Sequence, residues 1–437
     1  MLRGPIAATL LRFAAPTVLV VTIQALVSIM ETYFVGILGT DALAGVALVF
    51  PVMMLMQMMS AGGIGGGVAS AVARALGAGR RADADSLTLH SLLISIALGV
   101  AFTLSALLWG RPLYYALGGR GPVLQIAVTY SNIVFAGSVA LWVFNTLGAV
   151  LRGAGNMILP AQVSVGGAIV LVPLSALLVF GWGPIPGLGV AGAGVAFVFY
   201  YVAGAVVLAW RVFLQPNMVR VSLRGFRLQG RHLRDILGVG AISALMTAQA
   251  NLTVVILTGL VGGFGTAALA GFGLATRLDY ILVPLLFGLG SAAVTLVGTN
   301  LGAGQAERAN RIAWIAVAIG AGATEVIGAT VALAPRLWLG TFSNATDVLA
   351  SGAVYLRTVG PFYGCFGAAM IVYFCAQGAG TMLWPFVGGI ARLLLAALGG
   401  WFAVRQLGTG FAGLAVMVAA SYAVFAAINI VALRGRR

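Results

Sequence analysis

Three carboxylates stand inside or beside long apolar stretches of this 437-residue chain, and they are the side chains best placed to do chemistry: Glu31, Asp279 and Glu325. Burial penalises the ionised form of a carboxyl group, so such a residue either takes up a proton near neutral pH or holds a small cation. Glu31 lies in the run Ser28-Ile29-Met30-Glu31-Thr32-Tyr33-Phe34-Val35-Gly36, near the outer end of the first apolar stretch. An interfacial glutamate facing water is the plain alternative. Arg277 and Asp279 lie 10 and 12 residues into the stretch 267–297, which on a helix is on the order of 15–18 Å from its outer end and so near the centre of a bilayer. Two residues apart, they do not point the same way, so separate partners are expected. Either Asp279 binds a coupling cation or a cationic substrate while Arg277 tunes it, or the two charges only staple helices together. Glu325 follows the small-residue run Gly320-Ala321-Gly322-Ala323-Thr324, which could admit water.

No nucleophile, base or metal set accompanies these acids. Cys365 and Cys375 read as small buried hydrophobes, His90 and His232 are isolated, and no zinc spacing exists. The expectation is a protein that is not an enzyme, with no catalytic residue, metal or cofactor.

The elements that must position the acids are membrane helices. With 61% hydrophobic and 8% charged residues, against about 25% charged in soluble proteins, the chain has to be dissolved in lipid. Twelve stretches are long and apolar enough to span: 12–35, 45–70, 88–109, 124–148, 158–180, 188–211, 236–259, 267–297, 311–334, 351–376, 382–404 and 409–432. The first contains Pro16, Gln24 and Glu31 and runs on too long for a signal peptide, so it reads as a retained span. Every basic Lys/Arg position is arginine, and the net +15 falls in short clusters between spans, which argues against a nucleic-acid partner. The clusters at 3–12, 74–81, 152, 220–234, 308–311 and 434–437 share one side, and by the positive-inside rule both termini are cytoplasmic.

The two halves repeat each other. Gly39-Thr40-Asp41-Ala42-Leu43-Ala44-Gly45 returns as Gly265-Thr266-Ala267-Ala268-Leu269-Ala270-Gly271, and Leu76-Gly77-Ala78-Gly79 returns as Leu301-Gly302-Ala303-Gly304. Arg152-Gly153-Ala154-Gly155 with Pro160 returns as Gln377-Gly378-Ala379-Gly380 with Pro385, and the offsets are 226, 225 and 225. Six spans per repeat make the repeats parallel, as in transporters that open a central cavity alternately by rocking one bundle against the other. The fold expected is all-α and polytopic: a six-helix lobe over 1–213, a basic cytoplasmic linker over 214–234 and a second lobe over 235–437.

Around the expected cavity the polar or soft residues are Gln24, Met53, Gln57, Asn145, Gln249, Asn251, Tyr280 and Tyr373, with Arg277 as the deep arginine. Thioethers and aromatics suit varied apolar shapes. Pro16 and Pro51 interrupt spans near that cavity and can act as hinges. Gly62-Gly63-Ile64-Gly65-Gly66-Gly67 lacks the Lys-Ser/Thr of a phosphate loop and reads as a helix-packing feature. With no nucleotide site, the energy source must be an ion gradient or the membrane potential.

The order of these motifs resembles the multidrug and toxin extrusion (MATE) family of secondary antiporters over nearly the whole chain: Glu31-Thr32-Tyr33-Phe34-Val35-Gly36 in span 1, Leu-Gly-Ala-Gly after spans 2 and 8, and Gly-Ala-Gly with a following proline after spans 4 and 10. The resemblance implies export of cationic or amphipathic organic compounds in exchange for inward protons or sodium ions, from a pocket between the lobes. The family usually carries an aspartate in span 1, and Glu31 fits that place. Its NorM branch also has acids in spans 7 and 10, where this chain reads Gln249-Ala250-Asn251 and Phe366-Gly367. Archaeal DinF-like members pair an asparagine with an aspartate in span 5, where Ala168 and Val172 stand here; the Arg277-Leu278-Asp279-Tyr280 stretch is more similar to bacterial DinF-like members. Protons are favoured over sodium, because the internal carboxylates are scattered. The resulting expectation is a monomeric, multi-pass protein of the bacterial inner membrane, meeting small organic cations, amphipathic drugs and lipid. The rival is a flippase for a lipid-linked intermediate, which an arginine-lined cavity would favour.

Overall fold

A computed structural model describes residues 1–183, 185–214 and 226–435, and omits the side chains of Ile185, Asp279 and Tyr280. Among the described residues, eleven helices are long and apolar enough to cross a membrane, and a bent pair, Gly121–Ala136 with Ser138–Gly153, makes up to twelve. The chain is therefore an all-α polytopic membrane protein. Its spans 1 to 3 are Ile6–Ile37, Thr40–Gly77 and Arg81–Ala116; span 4 is the bent pair, and spans 5 and 6 are Ile158–Phe180 and Val190–Leu214. Spans 7 to 12 are Gly230–Gly262, Thr266–Gly302, Ala306–Leu333, Thr346–Ala379, Leu383–Arg405 and Gly410–Arg434. A two-residue antiparallel pairing of Gly181–Trp182 with Ile185–Pro186 joins spans 5 and 6.

Most helices outrun the apolar stretches that announced them. Hydropathy ends where a helix leaves the hydrocarbon, whereas its backbone ladder continues through polar residues such as Asp41, Arg74 and Asp83. Along the spans, large apolar side chains such as Leu104, Leu108, Ile169 and Val206 are exposed, as lipid-facing residues are.

The repeat is visible in hydrogen bonds. Gly79 N–H donates to the Leu76 carbonyl at 3.0 Å and Arg80 N–H to the Ala75 carbonyl at 2.9 Å; Gly304 to Leu301 at 3.0 Å and Gln305 to Asn300 at 2.8 Å are the same bonds in the second half. Gly79 and Gly304 both have φ of 74°, a left-handed turn that glycine adopts without a Cβ clash. Helix breaks also recur at matching places. Span 4 bends by 46° around Gly137, and span 10 breaks at a 3₁₀ turn, Gly360–Phe362. A π-turn at Met59–Ile64 in span 2 matches Pro284 in span 8, and a π-turn at Leu395–Gly399 in span 11 matches Pro173 in span 5. One half loosens the helical ladder with a wide turn where the other removes a donor.

Residues Leu19–Ala244 form one compact unit, and Met1–Val18 with Leu245–Arg437 form another. The cuts fall at equivalent positions of the repeat, inside spans 1 and 7, so the first part of each half's leading helix packs in the opposite unit. Glycines allow both approaches. A Cβ on Gly63 would meet the Ala244 backbone at 3.0 Å. One on Gly288 would meet Val18 N at 3.0 Å and the Ala14 carbonyl at 3.2 Å. The Gly62–Gly67 run is thus a packing surface: Gly67 also faces the Ile236 carbonyl and Gly240. The core of the Met1–Val18 and Leu245–Arg437 unit joins Leu10 and Ala14 to Leu286, Leu289 and Leu296 of span 8, Ile312 and Ala316 of span 9, and Ile371 of span 10.

Residues 215–225 of the basic linker lie outside the described ones. Its end is held by span 3. Arg231 Nη2 lies 2.8 Å from Asp83 Oδ1, and Arg80 Nη1 lies 3.0 Å from Asp83 Oδ2. Gln229 N–H donates to Nε2 of the fully buried His90 at 2.8 Å, which leaves the proton on Nδ1, 2.7 Å from the Ser86 carbonyl. Asp83→Asn removes both ion pairs at a half-exposed site. It is expected to lower stability by about 1 kcal/mol, read as a lower thermal-unfolding midpoint in detergent, and the difference should vanish in molar salt.

Candidate functional site

Glu31 occupies the C-terminal half of span 1, in the Leu19–Ala244 unit. Its Oε1 is fully buried and has no hydrogen-bond partner among the described residues. Buried Tyr130 of span 4 and Tyr201 of span 6 lie close enough to feel its charge. Two turns toward the start of span 1, Gln24 hydrogen-bonds the hydroxyl of Tyr200, which in turn donates to the Ser164 carbonyl of span 5 at 3.4 Å. Spans 4 and 6 thereby bring tyrosines near an acid whose ionised form has an unanswered oxygen among the described residues. Such a group can discharge that penalty by taking a proton or a cation.

A second polar point in this unit is the π-turn of span 2. Ser60 Oγ donates to the Gln57 carbonyl at 3.0 Å and accepts from Asn145 Nδ2 of span 4 at 2.8 Å. Met53 is buried one turn before Gln57. Gln57 and Asn145 are therefore brought to one place, and among the described residues no hydrogen bond joins them to Glu31.

In the other unit the anticipated residues are dispersed. Glu325 Oε2 accepts from the Gly364 N–H at 2.8 Å. It thus caps the helix Tyr363–Ala379 just after the break in span 10, where free backbone donors need an acceptor. Asn251 is exposed and bonds back to the Thr247 carbonyl at 2.9 Å. Tyr373 is buried and takes a hydrogen bond from Gln377 at 3.3 Å. Gln249 is half-buried, with its Oε1 sealed and without a partner among the described residues.

Arg277 lies 11 residues along span 8, a 37-residue helical run, and seven residues before its midpoint at Pro284. It closes the segment Thr266–Thr276, is exposed, and rests 5.7 Å over the Phe342 ring in the connection between spans 9 and 10. Trp338 of that connection donates to the Leu274 carbonyl at 2.9 Å. Asp279 opens the next helical segment; its side chain and that of Tyr280 lie outside the described residues.

Arg392 escaped the sequence reading. It is half-buried two residues from the midpoint of span 11. Its guanidinium lies 5.2 Å over the Phe366 ring, 5.1 Å over Tyr422 and 6.0 Å over Phe425. The repeat held the signal, because the equivalent position of the first half is Gly167. Among the described residues, no group of three or more His, Cys, Asp or Glu comes together to hold a metal ion.

The family model MatE matches residues 16–177 and 243–402. A FAD transporter of Shewanella oneidensis is 24% identical over 91% of this chain and 88% of its own length. A MOP superfamily transporter from Pyrococcus furiosus, described as having a binding pocket of reverse polarity, is 26% identical; the match covers all of this chain and 96% of that one with a TM-score of 0.91. A MATE structure in the bent conformation reaches a TM-score of 0.93 at 25% identity, over all of this chain and 96% of that one. With twelve spans in two repeats and a family match that spans both of them, the chain belongs to the MATE family and is a secondary active transporter of organic compounds that works by alternating access.

Proposed function

We propose that this transporter exports cationic or amphipathic organic compounds in exchange for inward protons, with Glu31 as the coupling group and Asp279 as a second acid. The observation that carries this reading is the buried Oε1 of Glu31, which has no hydrogen-bond partner among the described residues. A proton answers it with one bond, whereas a dehydrated sodium ion needs several oxygens, and the described groups near Glu31 are tyrosines, not further carboxylates. The matching position in the second half is the buried Leu257, so the acid belongs to one repeat only. The distribution of arginines supports a bacterial cytoplasmic-membrane protein with both termini inside, and the Arg277–Tyr280 stretch supports the DinF-like branch. Residues 1–213 and 235–437 act as its two lobes, and it works as a monomer. A flippase for a lipid-linked intermediate is the second reading, favoured by Arg392, a cation near the middle of span 11.

Purified protein in liposomes, loaded with a fluorescent organic cation and given a proton or a sodium gradient alone, tests the proposal. Proton-driven flux is expected, and flux under sodium alone would overturn the choice of ion. Asp279→Asn should slow the flux; an unchanged rate in folded protein removes Asp279 from the mechanism.

A further inference from the structure

Arginine keeps its charge in proteins, and a cation near the middle of a membrane span is tolerated where it faces protein or a wet cavity and finds compensation. Among the described residues no carboxylate pairs with Arg392. Three aromatic faces supply part of the compensation, but ring faces leave the in-plane N–H donors unanswered. The Arg392 Nε is buried with no acceptor among the described residues. One turn before it on span 11, Gly389 leaves room for Gln249: a Cβ there would meet the Gln249 amide at 3.1 Å. The Gln249 Oε1 is likewise buried without a donor. A sealed donor and a sealed acceptor thus stand on one face of span 11, three residues before a π-turn, a distortion common where helices bind ligands.

At the position that matches Arg392 the other repeat carries no charge, and protein groups fill the space. Spans 5 and 11 match at an offset of 225, which sets Ser164 and Gly167 against Gly389 and Arg392. There Gln24 is answered by the Tyr200 hydroxyl, Tyr200 by the Ser164 carbonyl, and the Tyr200 ring fills the space beside Gly167. In the second half an arginine replaces that glycine.

We propose that Arg392, Gln249 and the rings of Phe366, Tyr422 and Phe425 form a binding subsite for an oxyanion, carboxylate or phosphate, carried on a flat aromatic body. The guanidinium fork takes the oxyanion, Gln249 Oε1 takes a hydroxyl or amine proton of the same ligand, and the rings take its apolar face. This deepens the transport reading, because it adds organic anions and zwitterions to the amphipathic compounds carried.

Binding is measured by calorimetry on the full chain in phosphatidylcholine nanodiscs, with phenyl phosphate as probe and tetraphenylphosphonium as the cationic control. Wild type is expected to bind phenyl phosphate and Arg392→Gln about 30-fold more weakly, the loss of a charged hydrogen-bond pair. Arg392→Lys should fall between them, since it keeps charge but not the fork. Phe425→Leu, a variant that retains the arginine and removes one of its three ring faces, should weaken phenyl phosphate as well. Tetraphenylphosphonium binding should not fall in any variant. Equal phenyl phosphate affinity in wild type and Arg392→Gln, or no binding by wild type, overturns the subsite. Displacement of the probe by added phosphatidylglycerol in wild type assigns the oxyanion to a lipid headgroup and overturns the soluble-ligand form. Arg392-dependent binding together with failure of cation flux in liposomes would sink the export reading alone.

Discussion

Glu31→Gln is expected to reduce proton-driven export to background while leaving equilibrium binding of an organic cation within a few-fold of wild type. The amide matches the carboxyl in size and keeps one oxygen, so the surroundings of Tyr130 and Tyr201 need not repack. What disappears is the ability to exchange a proton. An ion drives a conformational cycle only by binding one state more tightly than the other; moving a two-state equilibrium from 1:99 to 99:1 takes about 5.5 kcal/mol of such preference. A side chain that never changes its protonation supplies none, so the gradient loses its handle on the transporter. Counterflow of labelled against unlabelled cation, which needs no net proton movement, should persist and separates an uncoupled carrier from an unfolded one. Gradient-driven export by folded Glu31→Gln at the wild-type rate would show that coupling resides elsewhere, with Asp279 next in line.

Much of the architecture could be read from residues that have only one structural use. Gly79 and Gly304 mark the same left-handed turn, and their spacing announced the repeat before any helix was placed. Apolar length announced the spans, but not their ends, because a helix continues past the hydrocarbon. Internal breaks were harder. The π-turn at Met59–Ile64 contains no proline, so nothing local distinguishes it from regular helix, whereas Pro284 at the matching place is visible in the sequence. The sites divide in the same way. Glu31 stood out as a lone acid in an apolar run. The capping task of Glu325 depends on Gly364, a residue from another helix, and pair contacts of that kind cannot be inferred from one chain read in order. Arg392 was hidden because one arginine within a qualifying span hardly lowers its mean hydropathy, and only comparison with Gly167 in the other repeat isolates it.

Gly153→Ala and Gly378→Ala should each destabilise the protein by about 1–3 kcal/mol, the usual cost of forcing one carbon into a filled contact. A Cβ at Gly153 would stand 2.5 Å from the Ala69 carbonyl oxygen and 3.0 Å from its Cα; at Gly378 the same atom would stand 2.6 Å from the Val294 carbonyl oxygen and 3.0 Å from its Cα. The obstacle is backbone in both cases, so no side chain can swing aside and the helices must part. Each is the other's counterpart in the repeat, span 4 on span 2 and span 10 on span 8. In lipid, where apolar surface gains nothing by leaving the solvent, this close approach of small residues is what holds helices together. The opposing expectation comes from helix propensity, which favours alanine over glycine by about 1 kcal/mol; the clash must exceed that gain for the prediction to hold. Valine at either position removes the ambiguity, since it adds two more carbons against the same backbone without alanine's propensity advantage. Thermal unfolding in detergent should show lower midpoints for all four single variants, valine below alanine, and a near-additive loss in the double alanine variant because each contact lies within its own repeat. An unchanged or raised midpoint for both valine variants would mean that these crossings yield to a carbon without cost, and that the repeated Gly-Ala-Gly signature serves the turn after the helix and not the packing within it.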